Sequence, residues 1–476
     1  MIGRAIIRLD VVVHSVHCHD IHLIYTLNLT GWIAAVIPYP HQIADGRWLA
    51  ERSAALNAAD CRTGKTGTAI IAADMILAVR ILVVTTASGR AVWRKAFEQW
   101  PAFPRSVVIG VGAADVQIVS WAGVTQAEQR AALLKQRFDL LILDESHYAK
   151  SFEAARTCAV YGDPRSAGDE VAAATALRTR AAVVWCLSAT PLPNSPADAY
   201  PMMRSLCPER LAARGDMPDV LSHAAFMDRY VITRPKRISR FRSIDVVVGG
   251  QNLEELRTRL DGFVNRRTQA DVGIRAPIYE TLPLLVSEKQ RKTIDSVDTR
   301  AVLKAADEGD TKALEMHLGP LRRLTGEIKA NAVVEAVKEA LDNGLDKIVL
   351  MAWHTDVIAF LSDALRGEHA SVFLDGSCSA KQRAAAEEMF RMKWCRVFIG
   401  QIQAAGEAID LSAACELWFV ESSFVPKDMA QAALRITNHT QRRQAFVKVC
   451  TLAGSIDEAL QSSLMRKWSA IREVLK

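Results

Sequence analysis

Patterns typical of metal-bound and disulfide-bonded proteins are missing from this sequence. Its nine cysteines are scattered over 476 residues without a C-x-x-C pair, which argues against a zinc ribbon or a disulfide framework and suits a reducing compartment. No window holds the roughly 20 predominantly apolar residues of a membrane span, and no clean apolar core with a small-residue cleavage site indicates a signal peptide. Low-complexity segments and internal repeats are also absent. We therefore expect a folded cytoplasmic protein with no membrane partner.

The bulk composition is that of an ordinary globular protein. Hydrophobic residues make up 50% of the chain and charged residues 24%, close to the globular average. The chain is too long for one hydrophobic core, so we expect two or three domains. A net charge of +6 and a pI of about 8.8 permit a nucleic-acid partner without requiring one.

An acidic pair follows a strongly apolar segment. The consecutive aliphatic residues Leu140–Leu143 predict a strand buried on both faces of a parallel sheet. Asp144 and Glu145 come next, at the carboxyl end where open α/β sheets bind ligands. Asp144 can hold Mg²⁺, and Glu145 can orient or deprotonate a water molecule. The alternative is a strand that ends in two solvated acids.

A phosphate-loop-like segment upstream favours the first interpretation. Gly64 lets the backbone approach a phosphate, Lys65 can reach the β- and γ-phosphates, and the Thr66 hydroxyl can complete a Mg²⁺ shell. The apolar residues 69–77 predict a helix whose positive end faces the anion. The strict phosphate-loop pattern fails because Ala59 stands where it has its first glycine. The two segments together predict a nucleoside triphosphate site.

Further buried strands alternate with helices in two parts of the chain. The first part has them at 80–86, 116–120 and 182–187, and the second at 347–352, 372–374, 396–400 and 416–420. Alternation of this kind predicts parallel βαβ units and doubly wound sheets. The predicted fold class is thus α/β, with two parallel-sheet lobes joined by a helical region that begins near Pro201.

Two other segments have open interpretations. The amide of Gln42 can both donate to and accept from an adenine edge, or it is a surface residue at a helix start. Residues 229–242 are basic and interleaved with aromatics, which suits a nucleic-acid backbone. A solvated basic face explains this segment equally well. Its candidate nucleic-acid contacts are Arg234, Lys236, Arg237, Arg240 and Arg242.

The ordered series of segments resembles the Swi/Snf-type helicase-like ATPases of superfamily two, and within them the distant subgroup of annealing helicases and phage or bacterial relatives. The similar segments are Pro38–Leu49 (adenine reading), Gly64-Lys65-Thr66 (motif I), Val83–Trp93 (motif Ia), Asp144-Glu145-Ser146-His147 (the DEAH or DESH box), Leu187–Asn194 (motif III), Asn265–Val272 (the end of the first lobe), Ile348–His354 (motif IV), Asp375-Gly376-Ser377 (the DGS step), Ala405–Leu411 (motif V) and Gln431–Arg435 (the start of motif VI).

The resemblance implies a motor of two RecA-like lobes, with ATP bound between them and double-stranded or branched DNA running across both. The implied division is an extension of unknown role over residues 1–35, a first ATP-binding lobe over 36–205, a helical protrusion and connector over 206–329, and a second lobe over 330–476. The implied ATP and Mg²⁺ site consists of Gln42, Gly64, Lys65, Thr66, Asp144, Glu145 and Arg435. The residues implied to relay the state of this site to DNA are His147, Ser188 and Thr190.

Motif VI departs from the family pattern. Asn438 stands where the family has its second arginine, and a neutral amide cannot neutralise developing charge as a guanidinium does. Arg435 is the expected substitute, with Arg442 or Arg443 as alternatives through a shift in register. Motif I also departs from the family's own pattern, which differs from the strict phosphate-loop pattern. Arg62 stands where motif I of the family has its first glycine.

These departures leave three functions open. The first is a DNA-dependent ATPase that translocates along duplex DNA, encoded by a bacterium or a phage. The second is an ATP-gated DNA-binding module with weak or no hydrolysis because of Asn438. The third is a helicase that separates strands and responds better to single strands than to duplex.

Overall fold

The computed structural model describes residues 36–162, 175–189, 192, 195–239, 242–285, 288, 311–366, 369–405, 409–423, 426–439, 441–453 and 457–458. The predicted N-terminal extension, Thr190 and Arg240 lie outside these ranges. The structure describes the backbone of Lys236, Arg237 and Arg242 but not their side chains. No helix within the described ranges combines the length and the hydropathy that a membrane crossing requires.

The first lobe is built on a seven-stranded sheet. Its strands and helices are α1 (Pro40–Ala50), β1 (Ala54–Asn57), α2 (Lys65–Met75), β2 (Ile81–Thr85), α3 (Gly89–Gln99), β3 (Val107–Ile109), β4 (Val116–Ser120), α4 (Ala127–Leu134), β5 (Phe138–Asp144), α5 (Ala155–Tyr161) and β6 (Ala181–Leu187). With β9 (Val264–Asn265) added, the strand order is β3-β4-β2-β5-β6-β1-β9, and all neighbours are parallel.

The apolar segments predicted this sheet because both of its faces are covered. Along β5, Leu141 and Leu143 belong to the core on one face of the sheet, and Leu140 and Ile142 to the core on the other. Helices therefore pack on both sides of a parallel sheet, as the doubly wound prediction requires. This arrangement places the carboxyl ends of β2, β5 and β6 side by side at one edge.

The second lobe repeats the design with six strands. Its elements are β10 (Ile278–Leu284), α9 (Thr311–Asp342), β11 (Ile348–Ala352), α10 (Thr355–Leu365), β12 (Ser371–Leu374), α11 (Ala380–Arg391), β13 (Val397–Gln401), α12 (Ile402–Ala405), β14 (Glu416–Phe419), α13 (Pro426–Ala433) and β15 (Phe446–Leu452). The strand order is β10-β15-β14-β11-β13-β12, again all parallel. The fold class predicted from sequence is confirmed.

The segment between the lobes holds more than helices. Its elements are α6 (Tyr200–Leu206), α7 (His223–Tyr230), β7 (Val231–Ser239), β8 (Arg242–Gly250) and α8 (Leu253–Leu260). The antiparallel hairpin β7–β8 was not predicted, because its basic residues obscured the β-branched residues of the two strands. The amphipathic pattern of residues 253–267 also suggests one continuous helix, but helix α8 ends at Leu260. The chain turns there at Gly262 (φ +71°) and forms β9 in the first sheet.

Candidate nucleotide-binding site between the lobes

The phosphate-loop segment forms a tight turn into α2. Gly64 precedes the helix with φ +86°, in the left-handed region that favours glycine. A Cβ atom at this position would lie 2.2 Å from Nε2 of Gln42, so a larger residue does not fit. The Nζ atom of Lys65 donates to the carbonyl oxygens of Ala59 (2.8 Å) and Asp60 (3.0 Å). The loop thus presents a helix N-terminus and a primary ammonium to the same space, which suits an anion.

Gln42 lies on α1 and is buried against this loop. Its Oε1 accepts from the backbone N–H of Tyr39 at 2.9 Å, and its Nε2 donates to the carbonyl of Gly64 at 3.1 Å. The amide therefore holds the phosphate loop against α1. An amide has a second N–H and a second lone pair, and its predicted contact with an adenine edge stays a prediction.

Asp144 lies half-buried at the carboxyl end of β5. Its Oδ2 accepts from Thr85 Oγ1 at 2.7 Å and from Trp93 Nε1 at 2.8 Å. Burial raises the pKa of Asp144 to about 6, and the charge of Glu145 acts in the same direction. The two hydrogen bonds and the positive charge of Lys65 oppose this rise. The charges of Glu145 and Lys65 therefore both act on Asp144, so the acidic pair and the phosphate-loop lysine belong to one site.

Thr85 and Trp93 were not predicted as site residues. A signal existed for Thr85, because it is a polar residue at the carboxyl end of the strand beside β5. Trp93 lies on α3, at the end of the segment that resembles motif Ia. Trp93 is 1% exposed, so it packs in the core and also donates a hydrogen bond to Asp144.

Glu145 adopts a backbone conformation that is rare for its residue type. Its φ of +50° and ψ of +48° are left-handed, and non-glycine residues held in this way cluster at functional sites. Its Oε2 lies 3.2 Å from Nδ1 of His147. The same Nδ1 lies 3.0 Å from Oγ of Ser188, which follows β6. The structure thus brings together two of the three predicted relay residues with the predicted water-activating acid.

The start of motif VI lies against the phosphate loop of the first lobe. Nη2 of Arg62 donates to the carbonyl of Arg435 at 3.2 Å. Nε2 of Gln269 donates both to the carbonyl of Cys61 (3.0 Å) and to Oγ1 of Thr437 (3.2 Å). Arg435 therefore belongs to a turn that touches the nucleotide loop. Gln269, which holds this turn, lies in the segment that ends the first lobe, and the sequence predicted no role for it.

A stack of three rings continues the contact between the lobes. Tyr39 and His41 come from the start of α1, and His439 comes from the second lobe. The ring centroids of Tyr39 and His439 are 4.3 Å apart, and those of His41 and His439 are 5.6 Å apart. His41 Nε2 lies 2.8 Å from the carbonyl of Thr63. The stack therefore joins motif VI to the phosphate loop through side chains of both lobes.

Asn438 is hydrogen-bonded to two residues of its own lobe. Its Oδ1 accepts from the backbone N–H of Gln441 at 2.8 Å, and its Nδ2 donates to Oγ of Ser412. Arg443, one of the alternative arginines, donates to the carbonyl of Ala413 at 3.0 Å, also in the second lobe. The amide of Asn438 thus braces the loop after motif VI, and Arg435 is the motif VI arginine whose backbone contacts the first lobe.

The basic segment 229–242 is shared between a helix and a hairpin in the structure. Arg229, on α7, forms an ion pair with Glu255 on α8, so this arginine has a role inside the fold. Arg234 lies exposed on β7, and Lys236, Arg237 and Arg242 lie on the same hairpin. Four of the predicted nucleic-acid contacts, Arg234, Lys236, Arg237 and Arg242, therefore share one two-stranded element outside both sheets, and Arg240 lies outside the described residues.

Comparisons with known proteins support the resemblance. No family model matches the chain. It is 24% identical to the DNA annealing helicase and endonuclease ZRANB3 of Homo sapiens over 408 residues, which are 81% of this chain and 35% of that protein. It is 26% identical to the SWI/SNF-related matrix-associated actin-dependent regulator of chromatin subfamily A-like protein 1 of Xenopus tropicalis over 437 residues, 88% of this chain and 42% of that protein.

Among solved structures, the Sulfolobus solfataricus SWI2/SNF2 ATPase core in complex with dsDNA matches with a TM-score of 0.41 and 18% identity, covering 93% of this chain and 95% of that chain. The chain is similar over most of its length to Swi/Snf-type helicase-like ATPases of the annealing-helicase subgroup, as the motifs predicted. It spans about two fifths of the length of the two curated relatives described above. These relatives are animal proteins and give no support to the predicted bacterial or phage origin.

Proposed function

We propose that this chain is a DNA-dependent ATPase, a motor that hydrolyses ATP between its two lobes while bound to double-stranded or branched DNA. One observation carries the proposal: the phosphate loop of the first lobe directly contacts the motif VI turn of the second. A site shared in this way changes with the distance between the lobes, which is what a motor needs. The relatives named above are an annealing helicase and a SWI/SNF-related protein, and their names agree with this class.

The residues at this site fit ATP and Mg²⁺. The helix N-terminus at Gly64 and the ammonium of Lys65 would hold the phosphates. The hydroxyl of Thr66, at the start of α2, and the carboxylate of Asp144 would hold Mg²⁺. Gln42 lies where the loop meets α1 and would read the base. Bound Mg²⁺ neutralises negative charge on the phosphates.

Glu145 and Arg435 supply the remaining chemistry in this proposal. The Glu145 carboxylate would accept a hydrogen bond from the attacking water and take its proton. The Arg435 guanidinium would stabilise charge that develops on the transferred phosphoryl group. Because Arg435 comes from the second lobe, its contribution depends on closure. His147 and Ser188 connect Glu145 to the end of β6 and would report the state of the site to the DNA-binding surface.

A weaker hydrolase is the second candidate, and Asn438 is the observation that favours it. Its amide is engaged with Ser412 and Gln441 in the second lobe. An arginine finger in cis is worth about 10³-fold or more in rate. If Arg435 does not replace it, the chain would bind ATP and DNA and hydrolyse slowly, as an ATP-gated binding module.

The test is ATP hydrolysis measured without nucleic acid, with single strands and with duplex DNA, for the wild-type chain and for Lys65→Ala. Strong stimulation by duplex, lost in Lys65→Ala, is the expected result. Binding of ATP and DNA without turnover would establish the gated module instead. Stronger stimulation by single strands would favour a strand-separating helicase, and turnover unchanged in Lys65→Ala would refute the site.

A further inference from the structure

Arg62 has an unfavourable backbone conformation in the phosphate loop. Its φ is +70°, in the left-handed region, where a residue with a Cβ atom costs about 1 kcal/mol relative to glycine. Glycine stands at this position in motif I of the family that the chain resembles. The chain therefore carries an arginine where its own backbone favours glycine, and the contacts of the side chain offset that cost.

Those contacts cross from the first lobe to the second. Nη2 of Arg62 donates to the carbonyl of Ile409 at 2.7 Å, to Oδ1 of Asp410 at 3.1 Å and to the carbonyl of Arg435 at 3.2 Å. The side chains of Arg62 and Asp410 are 18% and 25% exposed, so the ion pair is largely shielded from water. The carbonyl of Arg435 also accepts from the N–H of Leu411 at 3.1 Å. One guanidinium thus binds motif V and motif VI together.

The charges around this contact favour the ion pair. Burial acts to raise the pKa of Asp410, but Arg62 and the hydrogen bonds from Ser412 hold that pKa below its usual value. Asp410 has a second cationic neighbour, Arg391, whose Nη2 lies 3.5 Å from its other carboxylate oxygen. Arg391 belongs to the same lobe as Asp410. Removing Arg391 therefore leaves the contact between the lobes in place, which makes it a matched control.

We propose that Arg62 is a positioning residue that fastens the phosphate loop to the second lobe through Asp410 and thereby sets Arg435 beside the nucleotide. The inference rests on the proposed ATPase function and adds to it a residue in the first lobe that controls the second. The chain lacks the usual second arginine of motif VI at Asn438 and has an additional arginine in motif I. The link from Arg62 to Arg435 shows how the remaining motif VI arginine is held in place.

The test uses Arg62→Gly, because glycine suits the backbone at this position and the variant is expected to fold. We expect kcat for ATP to fall about tenfold or more, while KM changes much less, because the described contacts of the Arg62 guanidinium are with the second lobe and not with the residues that would hold the phosphates. Asp410→Ala is expected to lower kcat by a similar factor. The double variant Arg62→Gly with Asp410→Ala is expected to have a kcat no lower than that of Arg62→Gly alone. Arg391→Ala is expected to keep kcat near the wild-type value. A kcat within twofold of wild type in Arg62→Gly, or losses that multiply in the double variant, would overturn the proposal.

A second measurement does not need turnover. Amide hydrogen exchange of residues 409–412 and 435–439 is expected to accelerate in Arg62→Gly and to stay unchanged in Arg391→Ala. If the wild-type chain hydrolyses no ATP, the proposed function fails while this exchange experiment still decides whether Arg62 joins the lobes. Unchanged exchange in Arg62→Gly would refute the link whatever the ATPase result.

Discussion

The indole of Trp93 donates a hydrogen bond to Oδ2 of Asp144 at 2.8 Å. The bond orients a half-buried carboxylate that we propose as a ligand of Mg²⁺. Residues that orient a metal ligand in this way affect metal affinity or activity by about 10- to 100-fold when they are changed. Trp93→Phe keeps a buried ring but removes the donor. We expect it to raise the Mg²⁺ concentration needed for half-maximal ATPase activity by a factor in that range.

Trp121→Phe is the control for this prediction. Its indole also donates to Asp144, at 2.9 Å, but to the backbone carbonyl and not to the carboxylate. The Mg²⁺ requirement should therefore change much less than in Trp93→Phe. Equal shifts in the two variants would show that packing around β5, and not the orientation of the carboxylate, sets the Mg²⁺ requirement.

Glu145→Gln separates binding from chemistry. Glutamine has nearly the shape of glutamate, so the left-handed backbone and the neighbouring His147 are preserved, but the amide cannot take a proton. We expect ATP-analogue affinity to remain and turnover to fall by about 10²- to 10⁴-fold, the usual contribution of a general base. Single-turnover hydrolysis and equilibrium binding measure the two quantities. Normal turnover would remove Glu145 from this role.

The ring stack between the lobes should respond to pH. His439 is packed against Tyr39 and His41, and burial together with the nearby His41 lowers the pKa of His439 from its usual 6.5. His439 therefore binds a proton more readily when the lobes are separated than when they are joined. This difference begins to act as the pH falls through about 6.5. The contribution of the stack is present above that pH, and it is lost as the pH falls further through the lowered pKa.

This prediction is checked by hydrogen exchange of residues 435–439 between about pH 7.5 and pH 5.5, a range in which histidine titrates, after correction for the intrinsic exchange rate. Opening at low pH is expected in the wild-type chain. It should be reduced in His439→Phe, which keeps a flat ring without a titrating nitrogen. The same pH profile in both proteins would show that another group causes the opening.

The hairpin β7–β8 carries Arg234, Lys236, Arg237 and Arg242, which the sequence predicts as nucleic-acid contacts. Removing one cation that neutralises a phosphate lowers the salt dependence of duplex affinity by about 0.9 in the slope of log K against log salt. Changing Arg234, Lys236 and Arg237 to glutamine should therefore flatten this slope by up to about three such steps. Arg94→Gln, an exposed arginine paired with Glu98 on α3, is the control. An unchanged slope in the triple variant would mean that the hairpin is a solvated basic face.

Sequence patterns predicted those parts of the site that are formed by residues close together in the chain. The strand before Asp144 is visible because four aliphatic neighbours have only one environment that suits them all, the inside of a parallel sheet. The turn at Gly64 could be predicted because glycine followed by lysine and threonine is a known phosphate-binding pattern. By contrast, the hairpin at residues 231–250 and the short strand β9 were missed. Their pairing partners, and not their own composition, define them as strands.

The sequence by itself determined the α/β class, the two parallel-sheet lobes, and the presence of a lysine, two carboxylates and an altered motif VI. These features follow from short-range apolar patterns and residue chemistry. Only the tertiary structure decided that Trp93 holds Asp144, that Gln269 joins both lobes and that Arg62 reaches Asp410, a residue 348 positions away. Contacts over such separations depend on how two sheets pack, and many residue pairs could form them equally well until the folded chain selects one.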